Sequence, residues 1–229
     1  MLFRSVANNP LRYIDPTGMD ISFYLWKYSE DLGFTYKAVS YNELNANMQA
    51  VVEAFAKTDE GYGILKDFAN KGDKIGSVEF SEKGKYAKHE IVIGDVFYTG
   101  GDFANGQIGF NESKDHLVFR TDINSSNSIE QIAITMGHEF FIHMSPYKDR
   151  LINAYDRGDK ATIGQMRKEW NERGNDRRGG PDHDGYIRGD SKYSKMGTYI
   201  NQINNVLNPS KVNSIIKAHD EYYRKQLKR

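Results

Sequence analysis

Ser128-Ile129-Glu130-Gln131-Ile132-Ala133-Ile134-Thr135-Met136-Gly137-His138-Glu139-Phe140-Phe141-Ile142-His143-Met144-Ser145-Pro146 is the stretch that decides how this chain folds. Ile129, Ile132, Ala133, Met136, Phe140 and Met144 recur at helical spacing and form one apolar face, with Ile134 and Phe141 flanking it. That pattern predicts a helix from Ile129 to Met144 buried on most of its sides. Ser128 with Gln131 three residues later reads as a capping box at its start, and Pro146 ends it. The polar arc that remains holds Gln131, Thr135, His138, Glu139 and, at its edge, His143. Two imidazoles and a carboxylate in a buried arc have to be paired or liganded, because an isolated buried charge costs several kcal/mol.

The order His-Glu followed by a second His points to a metal. In a His-Glu-x-x-His helix, residues four apart lie about 40° apart, so both imidazoles reach one zinc ion while the Glu handles a water molecule. Here the spacing is five, which in a regular helix would separate His138 from His143 by about 140°. Either the motif is a coincidence, with Glu139 and His143, four apart, paired in a core network without a metal, or the helix widens locally; widening is the expectation. A π-bulge adds one residue to a turn and brings i and i+5 onto one side. His143 also lies three residues before Pro146, in the last turn, where the hydrogen-bond ladder constrains least. The spacing is similar to that of the dipeptidyl peptidase III family, whose zinc helix likewise has three residues between its histidines.

Composition narrows the donors. The chain has 229 residues and no cysteine, so a disulfide framework, a thiolate zinc cluster, a Cys nucleophile and an iron–sulfur site are all excluded. A metal must be held by carboxylates and by the six histidines, His89, His116, His138, His143, His183 and His219. The third ligand is expected to be His183, in Gly179-Gly180-Pro181-Asp182-His183-Asp184-Gly185, a breaker-rich loop whose acidic residues can hydrogen-bond ligand nitrogens. Alternatives are Asp184 or Asp182, Glu169, Glu172 and His219. His89 and His116 each begin a strand beside charged residues and are expected to be exposed, and His219 falls in a charged helix and is expected to be an ordinary surface residue. Tyr186 and Arg188 are candidate oxyanion or substrate contacts, and Gly100-Gly101 a turn or a point of close approach for a substrate backbone.

Around the central helix, Asn42 to about Asn70 has helical spacing through Leu44, Met48, Val51, Val52, Phe55 and Ala56, with a break at Gly61 to Gly63 and a short helix from Ile64 to Phe68. The period then changes to two in Val78–Phe80, His89–Val96, Gln107–Phe110 and His116–Thr121, which predicts three or four mostly antiparallel strands. Helices follow near Tyr147–Asp156, Ala161–Arg173, Lys195–Leu207 and Ser210–Leu227, with a long loop from Gly174 to Asp190. The expected class is α+β, a small sheet with a central metal-binding helix and a helical C-terminal part. That arrangement, over about Asn42 to Met144, resembles the zincin peptidases and secreted bacterial zinc-protease effectors, in which an edge strand holds the substrate above the metal helix. The resemblance implies one zinc ion, hydrolysis of a protein or peptide, and Glu139 as general base.

The net charge is zero, but from Pro146 onward 18 basic residues stand against 11 acidic ones, while the first 145 residues carry 13 against 20. The basic residues of the back part are scattered among helices, so nucleic acid is not expected as a partner; a metal-dependent nuclease built on Asp182-His183-Asp184 is the alternative enzyme reading. Mean hydropathy is −0.70 and no apolar run approaches the roughly 20 residues of a membrane helix, so no membrane span is expected. No apolar core follows Arg4, so no secretion signal is expected either.

Residues 1–20 differ from the rest. Asn9-Pro10-Leu11-Arg12-Tyr13-Ile14-Asp15-Pro16-Thr17-Gly18 resembles the end of the core of RHS/YD-repeat proteins, after which a variable C-terminal toxin begins. The resemblance implies a division into a leader, 1–20, and an effector domain, 21–229, subdivided at 41–144 and 145–229. It further implies export as part of an RHS protein, action in a target cell and a cognate immunity protein; a non-enzymatic RHS tip is the remaining alternative.

Overall fold

The structure, a computed structural model, describes residues 21–29, 33–97, 105–174 and 180–227. The string Asn9 to Gly18 and the pair Gly100-Gly101 lie outside these residues. The chain mixes helices with a five-stranded sheet of order β2-β1-β5-β7-β6. Its strands are β1 (Ile21–Ser29), β2 (Gly33–Val39), β5 (Glu90–Val96), β6 (Gly106–Glu112) and β7 (Leu117–Asn124). A separate two-stranded hairpin joins β3 (Lys74–Ile75) to β4 (Val78–Glu79).

The expected mostly antiparallel sheet is corrected here, because β5 runs parallel to both β1 and β7, and only the outer pairs β1–β2 and β7–β6 are antiparallel. A parallel pair needs a long crossover. Between β2 and β5 it is supplied by α1 (Ala46–Lys57), α2 (Asp59–Phe68) and the hairpin. Every residue of β5 is buried, as a strand covered on both faces should be. β1 and β2 were not anticipated. Ile21 and Phe23 of β1 join the main core while Tyr24 packs with Val92 and Val118 on the opposite face, so both faces are apolar and no clean alternation marks the strand.

The first helical stretch breaks at Thr58, not at Gly61 to Gly63. Thr58 caps α2, its hydroxyl accepting from the Gly61 N–H at 3.0 Å, and Asp59 and Glu60 follow in the first turn. Gly61 is there for space, since a Cβ would lie 2.1 Å from the Phe55 carbonyl oxygen. The expected loop from Gly174 to Asp190 also needs correction, because 180–188 is a helix, α6 (Gly180–Arg188). Pro181 and Asp182 stand in its first turn, where a missing N–H is harmless and an acidic side chain is favoured.

On one face of the sheet, Ile21, Phe23, Ile91, Ile93, Phe119 and Ile123 share a core with Val52 and Phe55 of α1 and with Ile132, Met136 and Phe140 of the helix that begins as α3 (Ile129–His138). α4 (Lys148–Asp156), α5 (Lys160–Gly174), α7 (Ser194–Ile203) and α8 (Pro209–Leu227) complete the helical part. α7 crosses α3 at Gly137: a Cβ there would meet the Tyr199 ring at 2.2 Å, and the Tyr199 hydroxyl donates to the Ala133 carbonyl at 2.9 Å. Gly137 is thus the notch that lets α7 lie on the helix beside His138. Gly137→Ala should destabilise the fold by about 1–3 kcal/mol through overpacking. A urea midpoint unchanged from the wild type would show that Tyr199 can move aside.

Candidate metal centre

The helix does widen where the histidine spacing demands it. α3 gives way to a π-helical turn over Glu139–Met144, and the Ser145 N–H donates to the Phe140 carbonyl at 2.8 Å, an i to i+5 bond. Two features of the sequence favour this register. Pro146 has no N–H to offer the Ile142 carbonyl, so the regular ladder cannot continue past it. Phe140 and Phe141 are both fully buried and both pack on Phe55, at centroid distances of 5.1 and 5.7 Å. With the extra residue in the turn, His138 and His143 meet, their Nε2 atoms 3.1 Å apart.

α6 brings the third imidazole. His183 Nε2 lies 2.9 Å from His138 Nε2, and the two rings are stacked at 4.8 Å between centroids. One nitrogen from each of His138, His143 and His183 falls within 4.8 Å of the others, and the three can hold a metal ion. Three nitrogens on a tetrahedral zinc ion, each about 2.0–2.1 Å from it, are about 3.3 Å apart, close to the His138–His143 and His138–His183 separations of 3.1 and 2.9 Å.

The outer nitrogens say which lone pairs face inward. His143 Nδ1 is 3.3 Å from Asp182 Oδ2, and Asp182 also accepts from the Tyr193 hydroxyl at 2.9 Å and from the Tyr147 hydroxyl. A carboxylate held this way accepts, so His143 carries its proton on Nδ1 and presents a bare Nε2. His138 Nδ1 is 2.8 Å from His219 Nε2, and His219 Nδ1 is 3.0 Å from Asp220 Oδ1. The same logic puts a proton on His219 Nδ1 and on His138 Nδ1, leaving His138 Nε2 bare as well. Two bare nitrogens turned toward each other in a buried site repel unless a cation or a shared proton lies between them.

Burial, reinforced by neighbouring imidazoles, holds His138 well below the usual histidine range and brings His183 down to about 3. Both are therefore neutral, the state in which imidazole binds metal. Glu139 is buried beside them and its carboxyl is pushed up, chiefly by desolvation. It faces Gly106 at the start of the edge strand β6, where a Cβ would lie 2.5 Å from Thr135 Cγ2 and 3.3 Å from Glu139 Oε1.

Other expected residues go elsewhere. Asp184 is half-buried and outside the imidazole trio, and Glu169 accepts from Gln165 Nε2 at 2.9 Å within α5. The Glu172 side chain lies outside the described residues. Tyr186 reaches the periphery of the site but gives its hydroxyl to Asp220 at 3.2 Å, and Arg188 is exposed with its guanidinium 3.8 Å from Asp190. His89 is not exposed: it is fully buried, its Nδ1 accepting from the Leu117 N–H at 3.1 Å and its Nε2 lying 3.2 Å from Asp156. His116 keeps about a quarter of its side chain exposed, 25%, against Asp115 and Glu90. His219 is not an ordinary surface residue, as its contact with His138 shows. Tyr223 was missed; its ring stacks on His183 at 4.1 Å and 9°. The signal was present, since His219 and Tyr223 are four apart on α8 and share a face.

No protein-family model, curated protein or solved structure matches this chain.

The depressed imidazoles fix the sign of an acid effect. Between their folded range and the ordinary value of about 6.5, the unfolded chain binds more protons than the folded one, so metal-free protein gains stability as pH rises through that window and loses it on acidification. Glu139, raised by burial, acts in the opposite sense. His183→Asn keeps that opposing effect and removes one imidazole. The urea midpoint should fall more steeply between about pH 7 and about pH 5 in the wild type than in His183→Asn; equal slopes would contradict the assignment.

Proposed function

We propose that this chain is a single-zinc metallopeptidase in which His138, His143 and His183 hold the ion and Glu139 is the general base. The observation that carries the reading is the π-helical turn: it closes a five-residue histidine spacing onto one point, with a buried glutamate directly after the first histidine. Three imidazoles and no sulfur donor suit zinc, and three protein ligands leave a position open for chemistry. When bound, zinc supplies the charge that polarises a peptide carbonyl and makes a water molecule acidic. Glu139 removes a proton from the attacking water and passes it to the leaving amine. Burial raises its carboxyl toward the range in which it can both accept and return a proton.

The edge strand supports an extended peptide as substrate. The Asn105 carbonyl accepts from the Asn124 N–H and the Ser113 N–H donates to the His116 carbonyl, so odd-numbered residues of this stretch bond to β7. Gly106, Ile108 and Phe110 therefore turn their backbone groups outward, where a further strand can pair. The Ile108 carbonyl already accepts from Trp170 Nε1 at 3.2 Å, which favours pairing at the Gly106 end, beside Glu139. The likeness of Asn9 to Gly18 to an RHS core end supports a cellular setting for this chemistry: an exported toxin acting on a protein in a target cell, restrained by an immunity protein. Among the described residues no helix is long and apolar enough to cross a membrane.

Glu139→Gln separates binding from catalysis. The variant should keep its zinc and lose about 10²–10⁴-fold in peptide hydrolysis. Hydrolysis that survives with the ion bound would rule out this mechanism, and retained zinc with no hydrolysis by the wild type of any unfolded protein substrate would favour a structural site.

A further inference from the structure

The C-terminal helix α8 carries two groups, His219 and Tyr223, that contact two of the three imidazoles and lie outside the hydrophobic core. Val212, Ile215 and Ile216 anchor the helix on that core. Beyond them, His219 meets His138 at 2.8 Å and Tyr223 stacks on His183. An imidazole has its two nitrogens on opposite sides of the ring. His138 turns Nε2 to His143 and His183 and Nδ1 to His219, so His219 lies on the side away from the trio's centre. That placement makes His219 a support for a ligand and not a fourth ligand.

We propose that α8 is a clasp for the metal site, in which Asp220 orients His219 and His219 holds His138 with its proton on Nδ1 and its Nε2 free for the ion. The polarity of the chain follows from its end. Asp220 Oδ1 accepts from His219 Nδ1–H at 3.0 Å and from the Tyr186 hydroxyl at 3.2 Å. His219 Nε2 then has only a lone pair to offer, and His138 Nδ1–H donates to it. Partners of this kind fix ligand orientation and tautomer, and their removal lowers metal affinity by about 10–100-fold. By linkage, whatever loosens α8 also loosens the ion, and the ion holds α8 in place.

The proposal rests on the metal-site part of the proposed function and not on peptidase activity, so its test reads affinity. Metal-free full-length protein is titrated with zinc against a chelating dye. Wild type should bind one ion; His219→Leu should bind one ion about 10–100-fold more weakly. His219→Gln, whose amide oxygen can still accept from His138 Nδ1–H, should recover most of that loss, and Asp220→Asn should fall between. Cobalt(II) spectra of wild type and His219→Leu should share their band positions, since the ligands are the same. Equal zinc affinity in wild type and His219→Leu would overturn the clasp, as would a changed cobalt spectrum, which would make His219 a ligand. A wild type that binds no zinc would overturn both this proposal and the metal site beneath it.

Discussion

Between Phe140 and Ser145 the helical ladder slips by one residue, and the site exists because of that slip. A regular turn would leave His138 and His143 about 140° apart, able to serve two sites but not one. The cause is local and physical. Pro146 withholds the N–H that would hold the last turn in register, and two adjacent phenylalanines both pack against Phe55 in the widened turn. Burying a Phe side chain contributes about 1.5–3 kcal/mol, enough for the pair to offset a poorer hydrogen-bond geometry over one turn.

A buried cluster of imidazoles is tolerated only if its outer nitrogens are satisfied, and the fold meets that need from two directions. Asp182 answers His143, itself steadied by Tyr147 and Tyr193. His219 and Asp220 answer His138 from α8. The residues that would hold an ion thus come from α3 with its π turn and from α6, while the groups that orient them come from α6 and α8. The site depends on the helical C-terminal part as much as on the central helix.

The central helix was legible because its apolar face, its cap and its closing proline all agree, and its widening was expected from the five-residue spacing taken with the proline that ends the last turn. His183 was legible as a histidine with acidic neighbours, although the glycines around it hid a helix that Pro181 signals. The parallel sheet was not legible. β1 and β5 are apolar on both faces, which erases alternation, and the direction of β5 depends on a crossover that no local pattern reveals. His89 and His219 misled for a shared reason: charged sequence neighbours on a strand or helix lie on other faces, and say little about where the imidazole itself points.

The most direct test of this account is X-ray absorption at the zinc edge of the purified full-length protein, with metal stoichiometry measured on the same sample. A site of this kind should hold one zinc ion per chain, with three imidazole nitrogens at about 2.0–2.1 Å and one oxygen ligand completing its shell. A protein without zinc, or an ion with fewer than three imidazoles, would contradict it.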